Sequence, residues 1–118
     1  LALSDRTRGL IGAADLAKMK KTAILVNTSR GPIVDEAALI AALKNRTILH
    51  AGLDVYDKEP MSADHPLTKL DNVTLIPHLG YVVEESYRHF YEGTIKDIEA
   101  WLDGQPINVL NPDALKKA

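Results

Sequence analysis

The chain has 118 residues, enough for one ordinary domain with a buried core, and it is 46% hydrophobic and 25% charged, as globular proteins are. Its formal net charge of −2 gives no reason to expect nucleic acid or an acidic membrane as a partner, and no apolar run approaches the roughly 20 residues of a membrane span. The absence of cysteine from the sequence excludes disulfides, thiolate nucleophiles and cysteine-ligated metals, and it is compatible with a reducing, cytoplasmic location.

Three short apolar runs carry the strand signal. They are residues 23–26, 51–55 and 73–76. Each run is mostly continuous rather than alternating, which is typical of parallel strands that are buried on both faces. We therefore predict a strand at each of the three.

Helical and loop patterns separate these runs. A helical turn is predicted around residues 14–19, and a helix is predicted to begin at the N-cap Asp35, between the first two strands. The proline-containing, polar residues 56–71 are predicted to form a loop. Over residues 84–103, apolar and aromatic side chains recur every three or four positions, which predicts a long helix that stops at Gly104.

Strands that alternate with helices predict an α/β fold with a mainly parallel sheet. A complete doubly wound sheet normally has about six strands. The three predicted strands, with an apolar strand end at Leu1, therefore indicate half of such a sheet. We expect a partial Rossmann-type doubly wound sheet, that is, a three-layer αβα fragment of a longer protein.

The residues that follow the three strands carry the chemically versatile side chains. Arg30 follows the first run, Asp54 lies at the end of the second with Glu59 shortly beyond, and His78 follows the third. Functional groups of open α/β sheets gather in the crevice beyond the carboxyl ends of the strands. We therefore expect these four residues to lie at one edge of the sheet.

This set of residues suits hydride transfer to or from a 2-oxo or 2-hydroxy acid. Arg30 can hold a carboxylate through two parallel hydrogen bonds, and His78 can give a proton to the forming alkoxide or take one from the alcohol. Glu59 beside the imidazole would fix its tautomer and favour its protonated form. Asp54 would accept a hydrogen bond from the carboxamide of a nicotinamide ring, and the hydride belongs to that cofactor.

Each of these residues also has a structural interpretation. An arginine after a strand is usually solvated, a histidine after proline is more often structural, and Asp54 could merely cap the loop backbone. The combination and its placement favour the site. His50, His65 and His89 are assigned no catalytic role, and their spacing does not fit a metal site.

Four stretches of sequence together form a recognisable signature, namely residues 19–35, 51–55, 58–60 and 76–80. In this order they resemble the D-isomer-specific 2-hydroxyacid dehydrogenases, and the resemblance covers the whole chain. Glutamate at position 59 disfavours the formate dehydrogenase branch of the superfamily, where glutamine is expected.

The resemblance implies a Rossmann-type domain that binds NAD or NADP and carries an arginine–glutamate–histidine catalytic set. Arg30 matches the arginine that binds substrate, Glu59 the partner of the histidine, and His78 the acid/base. The residues implied to bind the cofactor are Leu1, Thr28, Ser29, Arg30, Asp54, His78, Gly80 and Tyr81.

The resemblance also implies the organisation of the whole protein. Residues 1–118 would be the C-terminal half of the NAD(P)-binding domain, and the helix over residues 84–103 would lead back toward an absent substrate domain. The sequence lacks the G-x-G-x-x-G loop of the phosphate-binding half. The expected partners are a small 2-oxo or 2-hydroxy acid and, for the full-length protein, a second copy in a homodimer, and the isolated piece is expected to bind NAD weakly and turn over nothing.

Two other functional interpretations stay open. Transcriptional corepressors that resemble this family sense the nucleotide on the same scaffold and can keep the arginine, the glutamate and the histidine. An inert α/β fragment would explain the fold, but not the clustering of these side chains at the strand ends. The oxidoreductase is the favoured interpretation.

Overall fold

The computed structural model describes residues 1–117. The chain divides into two compact units, Leu1–Gly80 and Tyr81–Ala118. The regular elements in chain order are α1 (Ala13–Lys18), β1 (Ile24–Asn27), α2 (Glu36–Lys44), β2 (His50–Leu53), β3 (Val73–Leu75) and α3 (Glu84–Leu102). Short 3₁₀ turns cover Gly31–Ile33, Pro66–Lys69 and Pro112–Lys117.

The strands of the described residues form one parallel sheet in the order β1-β2-β3. Leu25 of β1 lies opposite Ala51 of β2, and Ala51 lies opposite Val73 of β3. The predicted strands and their parallel arrangement are confirmed. Because all three strands run the same way, the segments that follow their carboxyl ends lie at one edge of the sheet.

The two faces of the sheet differ in burial. Leu25, Ala51 and Leu53 face the hydrophobic core, whereas Ile24 and Val26 of β1 are 58% and 67% exposed. The expectation that the strands are buried on both faces is therefore wrong for β1. Side chains of a strand alternate between faces, and the core of the described unit covers only one of them.

The helix α2 contributes Leu39, Ala42 and Leu43 to that core. The side chain of Asp35 accepts a hydrogen bond from the Ala38 backbone N–H at 2.9 Å, so the predicted N-cap is confirmed. Leu39 and Leu43 then lie one helical turn apart and are almost completely buried against the sheet. Burial of a leucine side chain contributes about 1.5–3 kcal/mol, which fixes the helix beside β1 and β2.

The segment between β2 and β3 is mainly loop, as predicted, but it contains the 3₁₀ turn Pro66–Lys69. The turn begins after His65, whose Nδ1 accepts a hydrogen bond from the Leu67 backbone N–H at 3.3 Å. Leu67 is fully buried in the core. An apolar anchor and a side-chain cap thus give this polar segment a defined conformation.

The second unit consists mainly of α3, which confirms the predicted long helix to within one residue at its C-terminal end. Gly104, with φ of 72°, ends the helix in the left-handed conformation. None of the described side chains of α3 is buried, and the exposed apolar ones include Phe90, Ile95 and Trp101. No helix within residues 1–117 combines the length and the apolar composition needed to cross a bilayer.

Candidate active site

The turn that follows β1 places Arg30 at the sheet edge. The buried side chain of Asn27 donates from Nδ2 to the Arg30 carbonyl oxygen at 2.9 Å and accepts from the Ser29 backbone N–H at 3.1 Å. Gly31 comes next, and a Cβ at this position would overlap the backbone carbonyl of Tyr56. Only glycine therefore fits where the turn packs against the segment after β2. Asn27 was not among the predicted site residues, although a polar residue at the end of an apolar strand was a usable signal.

His78 and Glu59 form a direct pair. The Nδ1 atom of His78 lies 2.7 Å from Oε2 of Glu59, and the two side chains are 38% and 34% exposed. The other carboxylate oxygen of Glu59 accepts a hydrogen bond from the Tyr56 backbone N–H at 2.9 Å. The Tyr56 backbone therefore fixes one oxygen of the Glu59 carboxylate, while the other oxygen accepts the imidazole N–H.

The electrostatics of Glu59 follow from these contacts. The hydrogen bond from His78 is the main reason that the pKa of Glu59 lies below its usual value. Partial burial opposes this shift, and the Tyr56 backbone N–H and the positive charge of Arg30 reinforce it. These contacts favour the ionised form of Glu59, and Arg30 is near enough to help lower its pKa.

Arg30 itself is exposed, and its Nη1 donates to the Ser29 carbonyl oxygen at 2.6 Å. This bond orients the guanidinium group at the end of β1. The structure therefore brings Arg30, Glu59 and His78 to one edge of the sheet, although 48 residues of sequence separate the first from the last.

Asp54 follows β2 directly and is only 4% exposed. Its Oδ1 accepts from the Leu79 backbone N–H at 2.7 Å, and its Oδ2 accepts from the Gly80 backbone N–H at 2.8 Å. The geometry is that of a cap on the loop after β3, which was the structural interpretation of this residue. The nicotinamide contact stays a prediction.

The other residues predicted to bind cofactor lie in different places. Ser29 donates from its hydroxyl to the Leu1 carbonyl oxygen at 2.6 Å, so these two lie side by side beyond β1 with the exposed Thr28 next in sequence. Gly80 packs on the Asp54 carboxylate. Tyr81 is the first residue of the second unit, and its role stays a prediction.

Tyr56 lies at the candidate site, although its place in the sequence predicts only the start of a loop. Its buried hydroxyl donates to the Ile76 carbonyl oxygen at 2.9 Å and lies 3.1 Å from that of Leu53, which ties the ends of β2 and β3 together. Burial raises the pKa of this phenol. Beside it is a cavity of about 430 Å³, lined by Tyr56, Glu59, Pro60, Met61, Leu75, Ile76, Pro77 and His78.

A second histidine–glutamate pair lies away from the strand ends. Nε2 of His65 is 3.1 Å from Oε1 of Glu36, which is in the first turn of α2, and each side chain is 21% exposed. Within residues 1–117, no group of three or more histidine, aspartate or glutamate side chains is arranged to hold a metal ion.

Solved structures define the class of fold. The chain superposes with a TM-score of 0.88 and 40% identity on an oxidoreductase from Ralstonia solanacearum, covering 98% of this chain and 34% of that one. It also matches a D-isomer-specific 2-hydroxyacid dehydrogenase from Xanthobacter autotrophicus Py2, solved in complex with NADPH and MES, with a TM-score of 0.74 and 40% identity over 92% of this chain and 44% of that one. The fold is that of the Rossmann-type dehydrogenases.

The family follows from sequence comparison. The family model for the D-isomer-specific 2-hydroxyacid dehydrogenase NAD-binding domain matches residues 1–80, and the chain belongs to this family. Glyoxylate/hydroxypyruvate reductase B of Serratia proteamaculans (strain 568) is 48% identical over 118 residues, which are 99% of this chain and 36% of that protein. The chain thus spans about a third of the length of the curated relatives it matches.

Proposed function

We propose that the protein carrying this chain transfers a hydride between NAD(P)H and a 2-oxo acid, with the D-2-hydroxy acid as the reduced partner. The observation that carries the proposal is the 2.7 Å contact between His78 Nδ1 and Glu59, together with Arg30 at the same sheet edge. An imidazole that is oriented by a carboxylate, beside a cation that can bind an acid, is a set suited to this reaction.

In the direction of reduction, Arg30 binds the carboxylate of the substrate. Its guanidinium group offers several N–H donors in one plane, and a bidentate contact places the adjacent carbonyl carbon in a defined position. The same positive charge polarises the carbonyl group. Because Nη1 already contacts the Ser29 carbonyl oxygen, the group is oriented before substrate arrives.

His78 donates the proton that the substrate oxygen acquires as the carbonyl becomes an alcohol. Since Nδ1 faces Glu59, the proton is delivered from Nε2. The carboxylate of Glu59 accepts the Nδ1–H group and so fixes the orientation of the ring, which leaves Nε2 for the exchange with the substrate. Bound NAD(P)H supplies the hydride.

The remaining features of the full-length protein are proposed on the family resemblance. Residues 1–118 form the C-terminal half of the NAD(P)-binding domain, and the helix over residues 84–103 leads toward a substrate domain. The exposed apolar side chains of α3 support this, because exposed groups such as Trp101 are typical of surfaces that another part of a protein covers. A homodimer and a cytoplasmic location are proposed likewise, without nucleic-acid or membrane partners.

The test is a panel of 2-oxo acids with the full-length protein. We expect stoichiometric oxidation of NADH or NADPH with glyoxylate, hydroxypyruvate or a related 2-oxo acid, and, for chiral products, the D-isomer. A protein that binds NADH with ordinary affinity but reduces none of these acids would overturn the proposal. That result would favour the nucleotide-sensing corepressor instead.

A further inference from the structure

We propose that Asp54 is a positioning residue, which holds the backbone after β3 so that the His78 imidazole meets Glu59. The expected effect of Asp54 on turnover rests on the proposed function. Its effect on the contact between His78 and Glu59 does not depend on that function. Asp54 acts through the Leu79 and Gly80 amides rather than by contact with the reacting atoms.

The first support is the way the carboxylate is used. Asp54 is buried, and each of its oxygens accepts one of two consecutive backbone N–H groups, at 2.7 and 2.8 Å. Burying a polar group is costly unless it is hydrogen-bonded, and here both carboxyl oxygens meet backbone donors. The contact therefore fixes residues 79 and 80 firmly at the end of β2.

The second support is the conformation of His78. Its φ is 57°, in the left-handed region that residues with a side chain rarely adopt because the Cβ crowds the carbonyl oxygen. Such a conformation persists only where the surroundings impose it. The two hydrogen bonds to Asp54 begin at the very next residue, so they are placed to hold His78 in this conformation. Without them the backbone would relax, and the ring would turn away from Glu59.

The third support is the anchoring of Asp54 itself. Its backbone N–H donates to the Asn27 carbonyl oxygen at 3.0 Å, and the Asn27 side chain builds the turn that carries Arg30. One residue thus connects the carboxyl ends of all three strands. Gly80 completes the arrangement, since a Cβ there would lie 2.7 Å from Oδ2 of Asp54 and would displace the carboxylate.

The experiment compares Asp54→Asn and Gly80→Ala with wild type in the full-length protein. Asparagine keeps one acceptor oxygen but turns an NH₂ group toward a backbone N–H, and the alanine methyl pushes the carboxylate away. For both variants we expect kcat to fall on the order of 10²-fold, within the range that general acid–base catalysis contributes, while the Kd for NAD(P)H changes less than about twofold. The double variant should lose little more than either single variant, because both act on one contact.

A spectroscopic readout separates this proposal from the proposed function. The Nδ1 proton of His78 in its bond to Glu59 gives a low-field proton NMR signal, which we expect in wild type and expect to be lost in Asp54→Asn and in Gly80→Ala. Asp71→Asn, an exposed carboxylate away from the site, is the matched control and should keep both the signal and kcat.

The outcomes distinguish the alternatives. Loss of the signal in a protein that reduces no 2-oxo acid would support the positioning role and refute the proposed function. A preserved signal in both variants, with weaker NAD(P)H binding, would overturn the positioning role in favour of the nicotinamide contact. Should Asp54→Asn fail to fold, Gly80→Ala still decides, since it keeps the carboxylate and alters only its placement.

Discussion

Two histidine–glutamate pairs lie within the described unit Leu1–Gly80, and they resemble each other in chemistry but not in setting. His78 and Glu59 are 2.7 Å apart with roughly a third of each side chain exposed, whereas His65 and Glu36 are 3.1 Å apart and more buried. A search for paired imidazole and carboxylate groups alone would find both. The two pairs differ in the other contacts of each histidine ring and in the place of each pair relative to the strand ends.

The pair of His65 and Glu36 serves the fold. Nε2 of His65 faces Glu36 while Nδ1 accepts from the Leu67 N–H, so the neutral ring uses both nitrogens within the protein. Glu36 also accepts a long hydrogen bond, 3.4 Å, from the Asp57 backbone N–H. Together these contacts tie the loop between β2 and β3 to the first turn of α2.

The pair of His78 and Glu59 lies instead where all three strands end, beside Arg30. Its histidine also has a left-handed backbone conformation, with φ of 57°. We infer that position at the strand ends, more than the presence of a histidine–glutamate pair, distinguishes the candidate site.

The largest difference should appear between His78→Gln and His65→Gln in the full-length protein. We expect His78→Gln to lower kcat by about 10²–10⁴-fold, because it removes the group that we propose exchanges the proton. His65→Gln should leave kcat within a few-fold of wild type, because that ring only ties a loop to α2. Steady-state kinetics with saturating cofactor, and cofactor Kd by fluorescence titration, would measure both.

Two results would contradict this distinction. Equal losses of turnover in the two variants would mean that the pair of His65 and Glu36 also takes part in catalysis. A His78→Gln variant with wild-type kcat would remove the acid/base role from His78 altogether. In either case, position at the strand ends would not distinguish a catalytic histidine–glutamate pair from a structural one.

Much of this comparison could be predicted from sequence, and the missing part has a physical cause. The strand runs and the residues following them placed Arg30, Glu59 and His78 at one edge, because parallel strands impose that geometry. The Glu36–His65 pair was not predicted, because its members are 29 residues apart and meet only after the loop has folded back. The sequence does not predict the left-handed conformation of His78 either, because glycine is the residue that usually adopts a positive φ angle.

A smaller effect is expected from Glu59→Gln. The variant keeps a hydrogen-bond acceptor for His78 but weakens the bond by removing the negative charge, so we expect kcat to fall by about tenfold or more, a part of the full acid–base contribution. Steady-state kinetics against pH would measure this loss. Recovery of wild-type kcat at any pH would show that the charge of Glu59 is not required.

The same variant has a consequence for stability against pH. Because the folded-state pKa of Glu59 is lowered, its ionised form contributes stability above the ordinary glutamate pKa of about 4.3, and this contribution is lost as pH falls through the lowered value. Wild-type stability should therefore decline more steeply than that of Glu59→Gln as the pH falls through this window. The difference should be modest, because a third of the side chain is exposed to solvent. Urea unfolding between about pH 3 and pH 6 would measure it.

The smallest effect is expected at Glu36. Glu36→Gln keeps an oxygen that can accept from His65 Nε2, so the free energy of unfolding should fall by about 1 kcal/mol or less, partly through the lost charge at the N-terminus of α2. It should also bring the pKa of Asp57 nearer its usual value, because Glu36 is the next cause after burial of its raised pKa. Urea unfolding at pH 7 and kcat of the same preparation are the measurements, with Glu36→Ala as the variant that also removes the acceptor. If Glu36→Gln lost turnover as Glu59→Gln does while its stability stayed unchanged, the assignment of the His65–Glu36 pair to the fold alone would be wrong.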